Sequence, residues 1–375
     1  LIIIVRVGLI IYGSLQTVSG GYLYDRKLVA SLQEHGDEVE IFSQPWRAYP
    51  RRLTDNLSPS FLRRLRQAPL DLLLQDELNH PSLFWLNRRL RPTARYPIVS
   101  IVHHLRSQEA RPAWQNQLYR LIERRYLASA DGFICNSAAS LRAVADLVGD
   151  DRPAVVAPPA GDRWPDVPSR AQIEARAHLP GPLRLIFIGN LIPRKGLRTL
   201  LQAFSRLPEG AATLTVVGDP ALDPTYAATC RRQAKAAGLG LTVKFRDSLA
   251  DDELANELRN HQVLAVPSSY EGFGIVYLEA MGFGLPAIGA AAGGAGEIIR
   301  AGENGFLIPP GDAAALAACV ERLSADRDLL ATMSLAARRS FEAHPTWAQT
   351  TVAIRRFLGE IVGYHRLHLP MAAGQ

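Results

Sequence analysis

The sequence predicts an α/β protein made of two doubly wound, parallel-sheet domains. Three observations carry this. At 375 residues the chain is too long for one hydrophobic core to be the natural expectation. A strand, a glycine-bearing loop and a helix follow one another at the start, and the same pattern restarts near residue 184. The strands read as continuous apolar runs rather than alternating ones, as expected where a sheet is covered on both faces.

In the first half, residues 1–11 read as a strand buried on both sides. Residues 12–21 form a loop holding Gly13 and the pair Gly20-Gly21, and a helix over 22–35 ends at Gly36. The apolar start has no basic leader and is interrupted by Arg6, so a buried strand is expected rather than a secretory signal. Residues 39–42 are the next strand. Residues 44–67 look irregular, with arginines 51, 52, 63, 64 and 66 around Phe61, Leu62 and Leu65. A strand over 71–74 ends in Gln75-Asp76-Glu77. A basic helix and loop follow over 81–95, and a strand over 98–102 carries His103-His104 at its end. A helix over 113–128, a strand over 132–135, the helix cap Asn136-Ser137 and a strand over 154–156 complete this half. Residues 157–182 are rich in proline and read as the inter-domain linker region.

In the second half, a strand over 184–188 leads into loop 189–196 and a helix over 197–206. A strand over 214–217 ends at Gly218-Asp219, before a helix over 225–237. A strand over 242–245 and a helix over 251–260 precede the stretch on which the reading turns, VLAVPSSYEGFGIVYLEAMGFGLPAIGAAAGGAGEII at 263–299. There a strand breaks at Pro267, a polar loop carries Glu271, a helix opens near Phe273 and holds Glu279, and a second strand runs to a helix bearing Glu297. Two helix N-termini side by side offer unpaired N–H groups and positive dipole ends, an anion site. Glu271 and Glu279 stand eight residues apart, ~12 Å if all of it were helical. The tail reads as helices over 312–324, 327–343 and 347–361.

The composition is that of a globular chain, 47% hydrophobic and 21% charged, which excludes disorder. Residues 1–165 hold 21 Lys and Arg against 16 Asp and Glu, whereas the remainder holds 21 against 20. The basic excess therefore lies in the first half and suits an anionic membrane surface or an acidic acceptor. No nucleic-acid motif accompanies it. Cys135, Cys230 and Cys319 are widely spaced and odd in number, so neither a disulfide framework nor a metal site is expected, and a reducing compartment is. No apolar run reaches membrane-spanning length. The expected location is cytoplasmic, with any attachment peripheral on the inner face of the membrane.

In open α/β sheets, ligands bind beyond the carboxyl ends of the strands. Four sets of loop residues are therefore candidates: Gly20-Gly21, His103, Arg194-Lys195, and Glu271 with Glu279. Two cations at a helix start oppose its dipole, and a bound diphosphate would reverse that cost, but an ordinary charged surface loop is equally compatible. A lone His at a strand end is more often structural than functional, and a glycine pair is often only a turn. The glycines near Glu297 lack the order of a dinucleotide fingerprint, so no NAD site is expected.

The run from Pro267 to Gly274 followed by Leu278-Glu279-Ala280 resembles the E-x7-E signature of retaining GT-B glycosyltransferases, in particular glycosyltransferase family four. The Gly-Gly loop, the strand-end His, the G-x-x-x-P-x-K-G loop, Gly218 and the C-terminal helices fall in the order that family shows, across essentially the whole chain. The resemblance implies a GT-B fold of two Rossmann-like domains facing a cleft. Residues 1–160 would bind the acceptor, rejoined by 346–375, residues 161–182 would link, and residues 183–345 would bind the donor. It implies transfer of a hexosyl unit with retention from a UDP- or GDP-sugar, UDP preferred, to an unidentified lipid, glycan or small-molecule acceptor. It also implies that no metal or other cofactor is required.

By the same resemblance, Glu271 would contact the sugar hydroxyls, and Glu279 the ribose. Gly272, Phe273 and Gly274 would line the donor sugar or phosphate. Lys195 would neutralise the diphosphate, His103 would touch the transferring sugar, and Gly20-Gly21 would approach the phosphates. The base would lie near Gly218 and Arg246. Asn190 departs from the arginine common at its position, and Arg194 is the substitute at hand. The alternatives are a non-catalytic nucleotide-sugar-binding protein and a sugar-nucleotide epimerase on the same fold.

Overall fold

In the computed structural model, residues 5–368 are described, and they divide into two units, Leu1–Pro159 with Trp347–Gln375, and Ala160–Thr346. Residues 1–4 of the expected first strand and the end of the 346–375 segment lie outside the described residues.

The first unit holds six parallel strands: β1 (Arg6–Tyr12), β2 (Glu38–Gln44), β3 (Leu72–Asp76), β4 (Ile98–Val102), β5 (Gly132–Cys135) and β6 (Ala154–Val156). Their order in the sheet is β2-β1-β3-β4-β5-β6. All five residues of β3 and of β4 are buried, as their mostly apolar sequences lead one to expect, with Gln75, Asp76 and Ser100 the polar exceptions. The sheet switches direction between β1 and β3. The chain leaves β1 toward one side and β3 toward the other, so their following loops part and leave a crevice at the strand ends. The last helix, Trp347–His368, belongs to this unit. Its Arg355 pairs with the buried Asp37 at 2.7 Å, and the Thr350 hydroxyl donates to the Pro158 carbonyl at 2.8 Å.

The stretch expected to be irregular over 44–67 contains helix Tyr49–Arg52, a 3-10 turn at Leu53–Leu57 and helix Pro59–Gln67. The Ser58 hydroxyl accepts from the Phe61 N–H, Pro59 suits the first turn, and Leu62 and Leu65 are buried three residues apart. The arginines between them masked a short amphipathic helix. Residues 81–95 likewise resolve into two short helices, His80–Leu83 and Leu86–Leu90.

The second unit has the same plan: β7 (Leu183–Ile188), β8 (Ala212–Val217), β9 (Val243–Arg246), β10 (Val263–Val266), β11 (Ala287–Ala290) and β12 (Gly305–Ile308), all parallel, in the order β12-β11-β10-β7-β8-β9. The sequence reading missed β12, whose four residues are too few to show a period. Here the switch lies between β7 and β10, which bring the loops holding Arg194-Lys195 and Glu271 to one sheet edge.

The linker expected over 161–182 is corrected by the structure, because this segment is part of the second unit. Ser169 and Gln172 form a capping box at the start of helix Arg170–Ala177, and Ile173 is fully buried. The Trp164 indole N–H donates to the Asp251 carbonyl at 3.1 Å, and its ring meets Phe283 edge-on. Arg176 reaches inward and donates to the carbonyls of Leu258, Arg259, Phe283 and Gly284. Proline content suggested a connector, but the buried side chains between the prolines make it structural. Truncation by Arg176→Ala strands these carbonyls in a dry interior and should lower unfolding free energy by about 3 kcal/mol. Urea denaturation checks this, and a loss below ~1 kcal/mol would show the segment to be dispensable.

Candidate functional site

The loop after β7 begins at Gly189 and Asn190, turns through Pro193–Lys195 and closes at Gly196. Gly196 has φ of 72°, and a side chain there would collide with the Pro267 carbonyl, so glycine permits both the left-handed turn and the approach to the loop after β10. That approach brings Lys195 Nζ to 2.5 Å from Glu271 Oε1. The Ser268 hydroxyl donates to the same oxygen at 2.6 Å. The Arg194 guanidinium donates to the Tyr270 carbonyl at 2.9 Å and lies 3.6 Å from Glu271 Oε2.

Glu271 is only 6% exposed. Burial alone would raise its pKa, but the charges of Lys195 and Arg194 outweigh that and hold it down to about 2. The carboxylate is therefore ionised at all physiological pH values. Its chain continues through Gly272 and the buried Phe273 to Gly274, the N-cap of helix Ile275–Gly282. Only the second part of the Glu271–Glu279 span is helical. The neighbouring turn at Gly293-Gly294 lies against Glu271 and Gly272, with the Gly294 N–H donating to the Glu271 carbonyl at 2.8 Å. A Cβ at either glycine would strike one of these carbonyls. The two helix starts are thus neighbours, as the sequence indicated.

Glu279 sits on the helix itself, 7% exposed, and the Arg163 guanidinium is 3.5 Å from its Oε1. Burial raises its pKa to about 7, with Arg163 opposing. Arg163 is held from its other side by Asp251. Neither Arg163 nor Ser268 was singled out from the sequence. Arg163 lay in the presumed linker, and Ser268 was read only as part of a polar loop. Gly218 ends β8 against the Gly189 carbonyl, where a side chain would not fit. Arg246 ends β9 with its guanidinium engaged by Glu257. Among the second unit's candidates, Arg194, Lys195 and Glu271 to Gly274 come together, Asn190 opens the same loop, and Arg246 is committed to its own ion pair.

The first unit gathers a different group at its own switch. Gly20 and Gly21 prove to be the first turn of helix Gly20–Glu34, capped by Ser19, rather than a free loop. Gly21 lies against the imidazole of His103, where a Cβ would be 3.2 Å from its Cδ2. His103, at the end of β4, donates its backbone N–H to Glu77 Oε2 at 3.0 Å. Its Nε2 is 3.5 Å from Asp25 Oδ1. Burial would lower its pKa, but Asp25, Asp76 and Glu77 together raise it to about 9. With that proton, the ring of His103 and the carboxylate of Asp25 form a buried ion pair. His104 turns instead to Glu109, at 3.1 Å. Asp25 escaped the sequence reading, although an acid one turn into a helix on its buried face was the signal.

Comparison with known proteins follows the same division. The family described as glycosyl transferases group 1 matches residues 169–340, and the glycosyl transferase 4-like domain matches residues 20–160. A D-inositol 3-phosphate glycosyltransferase of Salinispora arenicola is 30% identical over 402 residues, covering 92% of this chain and 87% of that protein. Among solved structures, the sucrose-phosphate synthase from Thermosynechococcus elongatus superposes with a TM-score of 0.81 at 23% identity, over 96% of this chain and all (100%) of the other. HepE of Anabaena, solved in complex with UDP-glucose, gives a TM-score of 0.76 at 22% identity, over 95% of this chain and 100% of the other.

Because Glu271 has a depressed pKa, its ionisation contributes stability above its ordinary value near 4.5, and this is lost as pH falls toward about 2. Thermal denaturation between pH 5 and 2.5 should therefore show a steeper acid loss in the native chain than in Glu271→Gln. The variant should also be less stable at pH 7, because Lys195 and Arg194 lose their counter-charge. Parallel acid profiles for the two proteins would refute this account of the site.

Proposed function

The chain belongs to the group 1 glycosyl transferases, glycosyltransferase family four, with their GT-B fold, and we propose that it moves a hexosyl unit, with retention, from a UDP-sugar to a hydroxyl acceptor. It is a nucleotide-sugar-dependent glycosyltransferase. A GDP-sugar is the second donor to test.

The observation that carries the proposal is the convergence of Lys195 and Arg194 on the buried, ionised Glu271 beside two helix starts. In this reading the two cations and the helix N–H groups receive the diphosphate. Negative charge grows there as the glycosidic bond breaks, so preorganised cations stabilise the transition state more than the ground state. Glu271 accepts hydrogen bonds from the sugar hydroxyls, Glu279 from the ribose, and Gly272, Phe273 and Gly274 line the donor. Arg194 takes the place of the arginine that Asn190 replaces. His103 of the first unit is assigned to the transferring sugar, and Gly20-Gly21 to the phosphates. Retention follows the family's same-face route, with the departing phosphate assisting removal of the acceptor's proton.

Glu271→Ala and Lys195→Ala should each reduce kcat by about 100-fold or more while circular dichroism remains native. A thermal-shift screen of nucleoside diphosphates and their sugars identifies the donor, since a ligand that binds only the folded state raises Tm. The relative's acceptor makes inositol phosphate the first acceptor to try. Near-normal turnover in both variants would remove the assignment.

We further propose peripheral attachment to an anionic membrane. No helix among the described residues is long and apolar enough to cross a membrane. Several arginines of the basic stretches noted in the sequence are tied into the fold: Arg64 pairs with Glu40, and Arg66 and Arg89 donate to carbonyls. The better surface is helix Ala113–Leu127, which exposes Trp114, Leu118 and Leu121 along one stripe with Arg120, Arg124 and Arg125 also exposed. Vesicles containing anionic phospholipid should co-sediment the native protein at low salt, and Trp114→Ala with Leu118→Ser should weaken this several-fold. Binding indifferent to lipid charge and salt would refute it.

A further inference from the structure

The Asp25–His103 group is not explained by the family motifs that identified the donor residues. Asp25 lies on helix Gly20–Glu34, one turn beyond Gly21, and is fully buried. Neither of its carboxylate oxygens has a hydrogen-bond partner, and His103 Nε2 is also unpartnered, 3.5 Å from Oδ1. Asp76, at the end of β3, is equally buried. Its Oδ1 accepts the Leu78 N–H at 2.9 Å, and its Oδ2 is unpartnered. An uncompensated carboxylate in such a place is costly, and the group facing Asp25 that can compensate it is the imidazole.

The imidazole is held in place. Its backbone N–H is fixed by Glu77, and the Ser140 hydroxyl donates to its carbonyl at 3.3 Å. The Tyr24 ring meets it edge-on at 5.3 Å, and Gly21 closes the side where a larger residue would press on the ring. The titratable groups facing it are Asp25 and Tyr24 from the helix, and Asp76 and Glu77 from the end of β3. Burial keeps Tyr24 neutral. Burial and mutual repulsion raise Asp76 to about 7 and Glu77 well above the carboxylate range. The imidazole lies directly opposite the Asp25 carboxylate, and a carboxylate at that distance favours the charged ring in a dry interior.

We infer that Asp25 is a positioning residue that keeps His103 an imidazolium at neutral pH, so that His103 meets the substrate as a fixed cation and hydrogen-bond donor and not as a base. The role of His103 toward the sugar rests on the function proposed above, whereas the ion pair stands on its own geometry. An imidazolium can donate to a sugar hydroxyl or to an oxygen of the departing diphosphate. It has no lone pair with which to take the acceptor's proton, which leaves that step to the departing phosphate.

The test uses the whole 375-residue chain labelled with 15N at histidine, with the His103 ring signals identified by their loss in His103→Gln. In the native chain both ring nitrogens should remain protonated at pH 7.5, with a midpoint at about 9. In Asp25→Asn the midpoint should fall by about one unit or more. The alkaline fall in kcat/KM should move down with it, kcat dropping more than the donor's KM rises. Asp25→Glu should restore part of the shift. A neutral His103 at pH 7.5 in the native chain overturns the inference without any variant, as does an unmoved midpoint in folded Asp25→Asn. If sugar transfer is absent while the titration behaves as expected, the proposed reaction fails and the ion pair stands. An unmoved pH profile beside a moved titration removes the positioning role.

Discussion

The contact between Lys195 and Glu271 is the interaction on which the second unit's site depends. Taking both charges out of water costs several kcal/mol per ion, and their attraction repays this only with good geometry and further hydrogen bonds. Ser268 and Arg194 supply those further interactions. Replacing such a pair with apolar groups is often neutral or stabilising, so stability alone gives no reason for it. Its place gives one. It lies where β7 and β10 end side by side, at the point where the sheet reverses direction and loops part. Glycines at 196, 293 and 294 let the flanking backbones approach to a separation no side chain would allow.

The two units share a topology and place different electrostatics at their switch points. In the second, two cations face one carboxylate and leave a net positive charge beside two helix starts. That arrangement is complementary to a diphosphate. In the first, Asp25, Asp76 and Glu77 surround one imidazole, and burial raises Asp76 and Glu77 above the ordinary carboxylate range. Carboxyl groups around an imidazole suit hydroxyl-bearing ligands more than a second anion. Similar folds thus carry different chemistry because a few side chains at strand ends differ, while the strands beneath are interchangeable apolar runs.

The parts legible in the sequence were those written in local pattern. Among the described strands, the eleven from β1 to β11 could be placed from apolar runs bounded by turn residues, and the loops carrying Lys195, Glu271 and His103 followed from them. What escaped depended on partners distant in sequence. Arg163 has its meaning from Glu279 and Asp251, 116 and 88 residues away. Asp25 has its meaning from a histidine 78 residues later. The stretch over 161–182 reads as a linker by composition, and only the burial of Trp164, Ile173 and Arg176 reveals otherwise. β12 was lost because four residues cannot establish a period.

The two glutamates of the signature show how one motif can hold two kinds of acid. Both are nearly buried, so desolvation pushes both upward. Glu271 answers to two cations and a hydroxyl at close range and remains ionised. Glu279 answers to Arg163, whose charge is shared with Asp251, and its pKa stays at about 7. In the role proposed for it, accepting from sugar hydroxyls, Glu271 needs its charge before substrate arrives, and it has it. A carboxylate that closes on a ribose can gain its charge as two hydroxyls donate to it, because hydrogen bonds to the ionised form favour that form. Nucleotide binding in this reading should release part of a proton from Glu279 near neutral pH. Arg163, positioned by Asp251, sets how much of that ionisation is already in place.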